Sequence, residues 1–405
     1  MKSNVKSNLI IIGILFALLP IITTNLSYIT DNYNKSSGYS DDIIFNNEIP
    51  KISAVSGKIH IDDNSGWLAF KSAGNCTGNG TFSEPYVIED LIIDGKNSSS
   101  CIWIANSNVY FKIENCRVYN SAEYPNAGIV LSSVSNGLLI NNNVSNNNGH
   151  GIRVSSSSNN EIWGNTVSNN SVDGIYLTHS SNNEISGNSV NGAEYGEGIS
   201  LGLSSDNNTI SGNICENNWN GVILGDCINN IISENTVNNN DNIGIGITDS
   251  DNNIISECVI SFNNRWGISL WSSLYNNITG NTVNHNGDAG INVHVSLFNN
   301  IYLNCFNNTL NADDEGAINE WDNGIKGNYW ADYTGSDEDG DGIGDTPYII
   351  TGGSQDNFPL MKCPISAQDG GIPIELIILI SVISGGALIG VAALLLIRRR
   401  RKRME

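Results

Sequence analysis

A glycine followed by isoleucine or valine returns at Gly128, Gly151, Gly174, Gly198, Gly221, Gly244, Gly267 and Gly290, with spacings of 23, 23, 24, 23, 23, 23 and 23 residues. A period this short means that one unit cannot bury an apolar face alone and must stack on its neighbours. Aligned at the period, the units give aliphatic columns. One runs Ile129, Ile152, Ile175, Ile199, Val222, Ile245, Ile268, Ile291; another, two residues on, runs Leu131, Val154, Leu177, Leu201, Leu224, Ile247, Leu270, Val293. A third runs Leu139, Ile162, Ile185, Ile210, Ile232, Ile255, Ile278, Ile301, and a fourth Val144, Val167, Val190, Cys215, Val237, Ile260, Val283, Phe306.

Within each unit, apolar and polar residues alternate over runs of three to five, the spacing of strands with one buried face. The apolar residues are mostly β-branched, and Asn, Gly and Ser clusters separate runs too short for helices. A propeller blade needs about 40 residues per repeat, and a leucine-rich repeat shows a different Leu/Asn pattern. The pattern therefore predicts an all-β chain, a parallel β-helix in which each coil rises by about 4.8 Å and like stacks on like. The 65 Asn among 405 residues gain a reason from this stacking. Asn160, Asn183, Asn208, Asn230, Asn253, Asn276 and Asn299 form one column. Asn142, Asn165, Asn188, Asn213, Asn235, Asn281 and Asn304 form another, with Cys258 replacing Asn once. Asn tolerates left-handed turns, and its amide can bond the equivalent amide one coil away.

The chain divides accordingly. Residues 1–27 read as a signal peptide, with Lys2 and Lys6 before the apolar run Leu9–Ile22, an uncleaved anchor being the alternative. Residues 28–50 read as a linker, 51–127 as an N-terminal cap with irregular first coils, and 128–310 as the regular coils. Residues 311–363 are expected to cap the open sheet edges, with a stalk at 364–373. Residues 374–397, charged only at Glu375, are long enough to span a bilayer, and the basic tail 398–405 sets that tail in the cytoplasm. The body is then a single-pass type I surface protein at the cell membrane. Gly386 and Gly390 form a weak helix-dimerisation motif.

Between Tyr28 and Pro373 there are 11 basic and 39 acidic residues, a net charge of −28 that repels nucleic acid. The eight cysteines form no disulfide framework or CxxC metal site; Cys116 and Cys258 fall in equivalent positions about 29 Å apart and cannot pair. Ten Asn-x-Ser/Thr sequons, among them Asn75, Asn97 and Asn277, are what this composition yields by chance and do not argue for glycosylation.

The coil rhythm GI-x-L-x-x-S-x-NN-x-I-x-GN resembles the right-handed parallel β-helix of the NosD-type periplasmic copper-binding family. It is equally similar to related carbohydrate-binding and sugar-hydrolysis repeats. The runs Trp321–Tyr333 and Gly335–Tyr348 resemble an end module of archaeal members. The resemblance implies fold over roughly residues 80–362 and leaves function open. Copper sites favour His, Met and Cys, whereas this body carries five scattered His and one Met, Met361, so copper is not the expected cofactor.

Asp337, Asp339, Asp341 and Asp345 with the Ile343 carbonyl and Gly342 reproduce the first nine positions of a calcium loop. Tyr348 stands where a bidentate Glu is expected, so a further acid such as Asp332 or Asp356 is needed. Lytic β-helix enzymes use Arg or Lys beside calcium, yet between Gly128 and Asn323 only Arg153 and Arg265 occur, with Arg153 placed outward beside Tyr176. Asp226 and Asp249 share an outward column at the spacing of a carboxylate pair. Sugar rings can instead stack on exposed aromatics: Trp219 and Trp266 lie in one turn region about 10 Å apart, and Trp271 neighbours His294. The leading expectation is a membrane-anchored, non-catalytic solenoid that binds glycans or cell-envelope components through Trp219, Trp266, Trp271, Tyr176 and Arg153. The alternatives are a lyase or hydrolase using Arg153, Asp226 and Asp249, and a copper-handling accessory protein.

Overall fold

The computed structural model describes residues 57–315 and 318–365. The expected signal peptide, linker, membrane span and tail lie outside these residues. Among the described residues no helix is long and apolar enough to cross a membrane.

Three parallel sheets of 11, 10 and 11 strands run the length of a right-handed solenoid. Every unit contributes one strand to each sheet, and each strand pairs with its counterpart one unit away. Ile152, for example, pairs with Ile129 on one side and Ile175 on the other, and Ile162 pairs with Leu139 and Ile185. All four aliphatic columns are buried in one continuous core. The recurring glycine stands at the start of the eight first-sheet strands of the regular coils because nothing larger fits there. A Cβ at Gly174 would lie 2.3 Å from Val190 Cγ1 and 2.7 Å from the Gly198 carbonyl of the next rung.

Both asparagine columns are buried ladders. Asn188 Oδ1 accepts the backbone N–H and the side-chain amide of Asn165, at 2.9 and 3.0 Å. Asn188 Nδ2 in turn donates to the Ile162 carbonyl at 2.8 Å and to Asn213 Oδ1 at 2.9 Å. Cys258 continues its column through its own N–H, donated to Asn281 Oδ1 at 3.0 Å. Cys116 begins the same column, six rungs earlier, donating to Asn142 Oδ1. Left-handed backbone, however, falls one position before the ladder residues. It is carried by Asn159, Asn182, Asn207, Asn229 and Asn252 beside one ladder, and by Asn141, Gly164, Gly187 and Gly212 beside the other. The doublet Asn-Asn thus divides two tasks, the first residue turning the chain and the second bonding across rungs.

Two further ladders escape a reading by columns. A third amide ladder runs Asn147–Asn170, is interrupted at Ala193, and resumes Asn218–Asn240–Asn263–Asn286. A serine ladder links Ser157–Ser180–Ser205 and Ser250–Ser273–Ser296 through hydroxyls that accept the preceding rung's N–H.

Each end is plugged by aromatic side chains. A helix at Asp63–Ser72 lays Trp67 against Tyr86 and Phe111, with ring centroids 5.1 and 5.0 Å away. At the other end the first sheet gains a last strand, Ala312–Asp314, and the third gains Tyr329–Trp330. Phe306, Trp330 and Tyr348 then stack in series, and the Trp330 indole N–H donates to buried Asp356. Cys305 and Cys363 form a disulfide that ties the cap to the last complete coil. The cysteine spacing gave no sign of this bond, because its partners belong to different modules.

Replacing Asn188 by Ala strands the Asn165 N–H and takes a donor from the Ile162 carbonyl, while the Asn165 amide keeps the Leu139 and Trp163 carbonyls. The variant is expected to lose roughly 2 kcal/mol, read as a lower denaturant midpoint, whereas exposed Ser171→Ala should stay within about 0.5 kcal/mol of the parent.

Candidate functional site

The first sheet carries the sequence-derived residues at its two edges. Arg153 and Tyr176 are register partners on adjacent strands, both facing outward. Trp219 is 44% exposed and lies at the edge where these strands begin. Its backbone N–H reaches the carbonyls of Ala193 and Gly196, which bracket an outward loop carrying Tyr195. Trp266 belongs to the same edge but stands one position out of register. The Trp219 carbonyl bonds Asn242, which leads to Arg265, whereas the Trp266 carbonyl bonds Gly244. The Arg265 guanidinium lies 3.7 Å over the Trp266 ring and pairs with Asp288, so one face of this indole is occupied. Trp271 lies at the opposite edge, 47% exposed, and tilts against His294 at 4.0 Å. The five residues therefore do not make one platform. Arg153, Tyr176, Trp219 and Trp266 share an edge, and Trp271 is apart.

Asp226 and Asp249 share a column, both exposed and both in left-handed backbone just past the strand ends. Arg153 leans the other way: its Nη1 donates to the Pro125 carbonyl, and its Cζ sits 5.8 Å from the Tyr124 ring. The grouping of Arg153 with this carboxylate pair is therefore not formed.

Spacing did not single out a buried polar column on the Arg153 edge, formed by His150, Asp173, Glu197 and Asn220. Rung by rung, a side chain accepts the next rung's N–H. Asp173 donates to His150 Nδ1 at 3.3 Å, Glu197 to Asp173 Oδ1 at 2.9 Å, and Ile243 to Asn220 Oδ1 at 2.9 Å. Burial pushes the Asp173 carboxyl up to about 7, with the Glu197 charge adding to the rise. Burial and then the Arg153 charge hold His150 down to about 4. Burial also raises Glu197. His150 Nδ1 and Asp173 Oδ2 approach to 3.5 Å, but these directions make them a largely uncharged pair below neutral pH rather than an ion pair. The signal that could have found the column is the lone His directly before Gly151, with acids in equivalent positions on the next two units.

In the C-terminal cap, Asp337, Asp339 and Asp341 each bring a carboxylate oxygen within 4.8 Å of the others. Asp337 accepts the Gly340 and Gly342 N–H groups, and Asp341 that of Ile343. Asp345 turns inward to hold the loop, accepting the Glu338 N–H and the Ser336 hydroxyl. Neither additional acid joins the trio by its visible bonds. Asp332 binds Asn311 and Tyr348, while buried Asp356 accepts from Asn328, Trp330 and Phe358. Among the described residues this trio is the only group of three or more His, Cys, Asp or Glu side chains close enough to share an ion. Its donors are all oxygen, suited to a hard cation and poorly to copper. Five of the six free cysteines are buried, and burial raises the thiols of Cys101, Cys116, Cys215, Cys227 and Cys258, away from the thiolate form that binds soft metals.

Stacked coils of this kind define a right-handed parallel β-helix protein. Residues 39–215 match the right-handed β-helix region family, and residues 197–335 match the family described as periplasmic copper-binding protein (NosD). The two matches and the stacked coils together support a NosD-type right-handed β-helix family. No curated protein matches it. Similar solved structures include the periplasmic alginate epimerase AlgG, at 18% identity over 58% of this chain and 76% of that one, TM-score 0.42. The A-module of Azotobacter vinelandii mannuronan C-5 epimerase AlgE4 shares 12% identity over 67% and 91%, TM-score 0.37. The Dettilon tailspike protein shares 18% over 57% and 56%, TM-score 0.38. Likenesses of this size assign neither substrate nor residue roles.

The sign of the buried pair's pH dependence follows from these directions. Asp173 is raised from 3.8, so its contribution is complete below that value and is lost as pH rises through about 7. His150 is lowered from 6.5, so its contribution is present above that value and is lost as pH falls towards about 4. Between pH 6 and 8 the parent is expected to lose about 1 kcal/mol through Asp173. Thermal midpoints across that range should fall for the parent and stay flatter for Asp173→Asn.

Proposed function

We propose that this protein is a membrane-anchored, extracytoplasmic solenoid that binds carbohydrate or cell-envelope glycans without turning them over. The observation that carries the reading is the half-exposed Trp219 indole, set beside the Tyr195 loop on the same edge as Tyr176 and Tyr124. Flat apolar rings with polar groups alongside suit sugars, whose C–H faces stack while their hydroxyls bond. The Cys305–Cys363 disulfide supports a position outside the cytoplasm, where such bonds persist. A glycan array probed with the full chain should give reproducible binding that Trp219→Ala weakens at least about tenfold, about 1.4 kcal/mol. Release of shortened or unsaturated products from the bound polysaccharides would instead favour an enzyme.

The Asp337–Asp345 loop is assigned to calcium, with Asp337, Asp339, Asp341 and the Ile343 carbonyl as ligands and Asp345 as the residue that shapes the loop. The missing acid at Tyr348 makes this a site of modest affinity, matched to millimolar extracellular calcium. At about ten times Kd, calcium is expected to raise the thermal midpoint by roughly 3 °C, and Asp339→Asn should abolish the rise. An unmoved midpoint together with no heat in a calcium titration would remove the assignment.

A further inference from the structure

The buried column on the Arg153 edge leaves two polar atoms without partners. His150 is 3% exposed, and its Nε2 has no hydrogen bond. Because Nδ1 accepts the Asp173 N–H, the ring's proton is assigned to Nε2, which makes that atom a buried donor with nothing to donate to. Arg153 Nε, a donor in every state, is likewise buried and unpartnered. One aromatic ring ties the two together. The Tyr124 centroid lies 5.8 Å from the His150 ring and 5.8 Å from Arg153 Cζ. Tyr176 stacks on the His150 ring at 4.8 Å, while Tyr124 meets it edge-on. Tyr124 is itself 62% exposed and lies outside the buried core.

An unpaired buried donor is destabilising, and two of them under one exposed ring call for an acceptor from outside the chain. The missing group must accept and need not donate. A carboxylate would accept and would meet the Arg153 charge, but it would have to approach a body of net charge −28 between residues 28 and 373. An uncharged carbonyl oxygen escapes that repulsion, and a methyl group beside it would find the tyrosine rings. On a sugar, both features belong to the acetamido group.

We propose that His150 Nε2 and Arg153 Nε, beneath Tyr124, form a subsite for the acetamido carbonyl of N-acetylated amino sugars. This rests on the glycan-binding reading and narrows it to a ligand class. The Asp173 N–H, accepted by Nδ1, holds the imidazole in the donor tautomer.

The test titrates the full chain with tetramers of N-acetylglucosamine, glucose and galacturonate, and repeats each with Arg153→Met and His150→Phe. Expected are binding of the acetylated tetramer at least about tenfold tighter than of the other two, and loss of that advantage in Arg153→Met. Arg153→Met removes the donor at a half-buried surface position, and an unchanged thermal midpoint separates lost recognition from lost fold should His150→Phe be unstable. Equal affinity for the acetylated and glucose tetramers, or an advantage untouched by Arg153→Met, overturns the subsite while leaving glycan binding in place. Tighter binding of galacturonate overturns the choice of an uncharged oxygen and with it the proposal. Binding of no sugar on a broad array overturns this proposal and the glycan reading together.

Discussion

The structure depends on one constraint: a polar side chain buried between rungs about 4.8 Å apart can be satisfied most simply by a copy of itself on the next rung. An asparagine amide offers both donor and acceptor, so a column of them closes its own hydrogen bonds. Asn160, Asn183, Asn208 and Asn230 bond in sequence at 2.8 to 3.1 Å, amide to amide and amide to backbone. A single unlike residue leaves the preceding rung's N–H without its side-chain acceptor, while its own N–H still reaches the next rung, as at Ala193 and Cys258. That is why the repeat tolerates so little variation inside, and why its interior is rich in Asn but nearly free of charge. Stacked like charges would repel at every rung, whereas stacked amides cooperate.

The same constraint decided how much could be read beforehand. Columns that keep strict spacing, such as Ile129–Ile291 and Asn160–Asn299, were legible because register turns period into contact. The third amide ladder was hidden by Ala193, in the one unit lengthened to 24 residues, where Ala193 N–H still reaches Asn218 Oδ1. The serine ladder was hidden by chemistry, since serine is common in turns for other reasons. Left-handed geometry was attached to the ladder asparagines when it belongs to the residue before them, because both members of each Asn-Asn doublet look alike. His150 was hidden by its partners: Asp173 and Glu197 share its column but not its residue type, so no similarity marks them.

A solenoid has two raw ends, and here each is closed by large rings rather than by more repeat. Trp67 fills one mouth from a short helix, while Phe306, Trp330, Trp321 and Tyr348 fill the other. The C-terminal plug includes polar anchors at its centre. The Trp321 and Trp330 indoles donate to Asp314 and Asp356, and burial pushes Asp356 up to about 6. Such a plug needs fastening, because its strands are short and it lacks the register of the coils. The Cys305–Cys363 bond supplies that fastening at the seam between repeat and cap.

Register also bears on where a ligand can be held. When neighbouring rungs both carry a ring in one column, the rings stack on each other and hide their faces. Tyr275 and Phe298 do so at 5.3 Å and 10°, and Trp271 and His294 at 4.0 Å. Such pairs occupy positions where earlier rungs carry Asn or Thr, yet they spend their faces on one another. An aromatic platform therefore needs a solitary ring with small neighbours above and below. Trp219 meets that condition, with Asn242 on the next rung and the 193–196 loop beneath, and among the described residues its indole makes no ring contact. In a molecule built by repetition, the positions that break a column are the ones available to recognise something else.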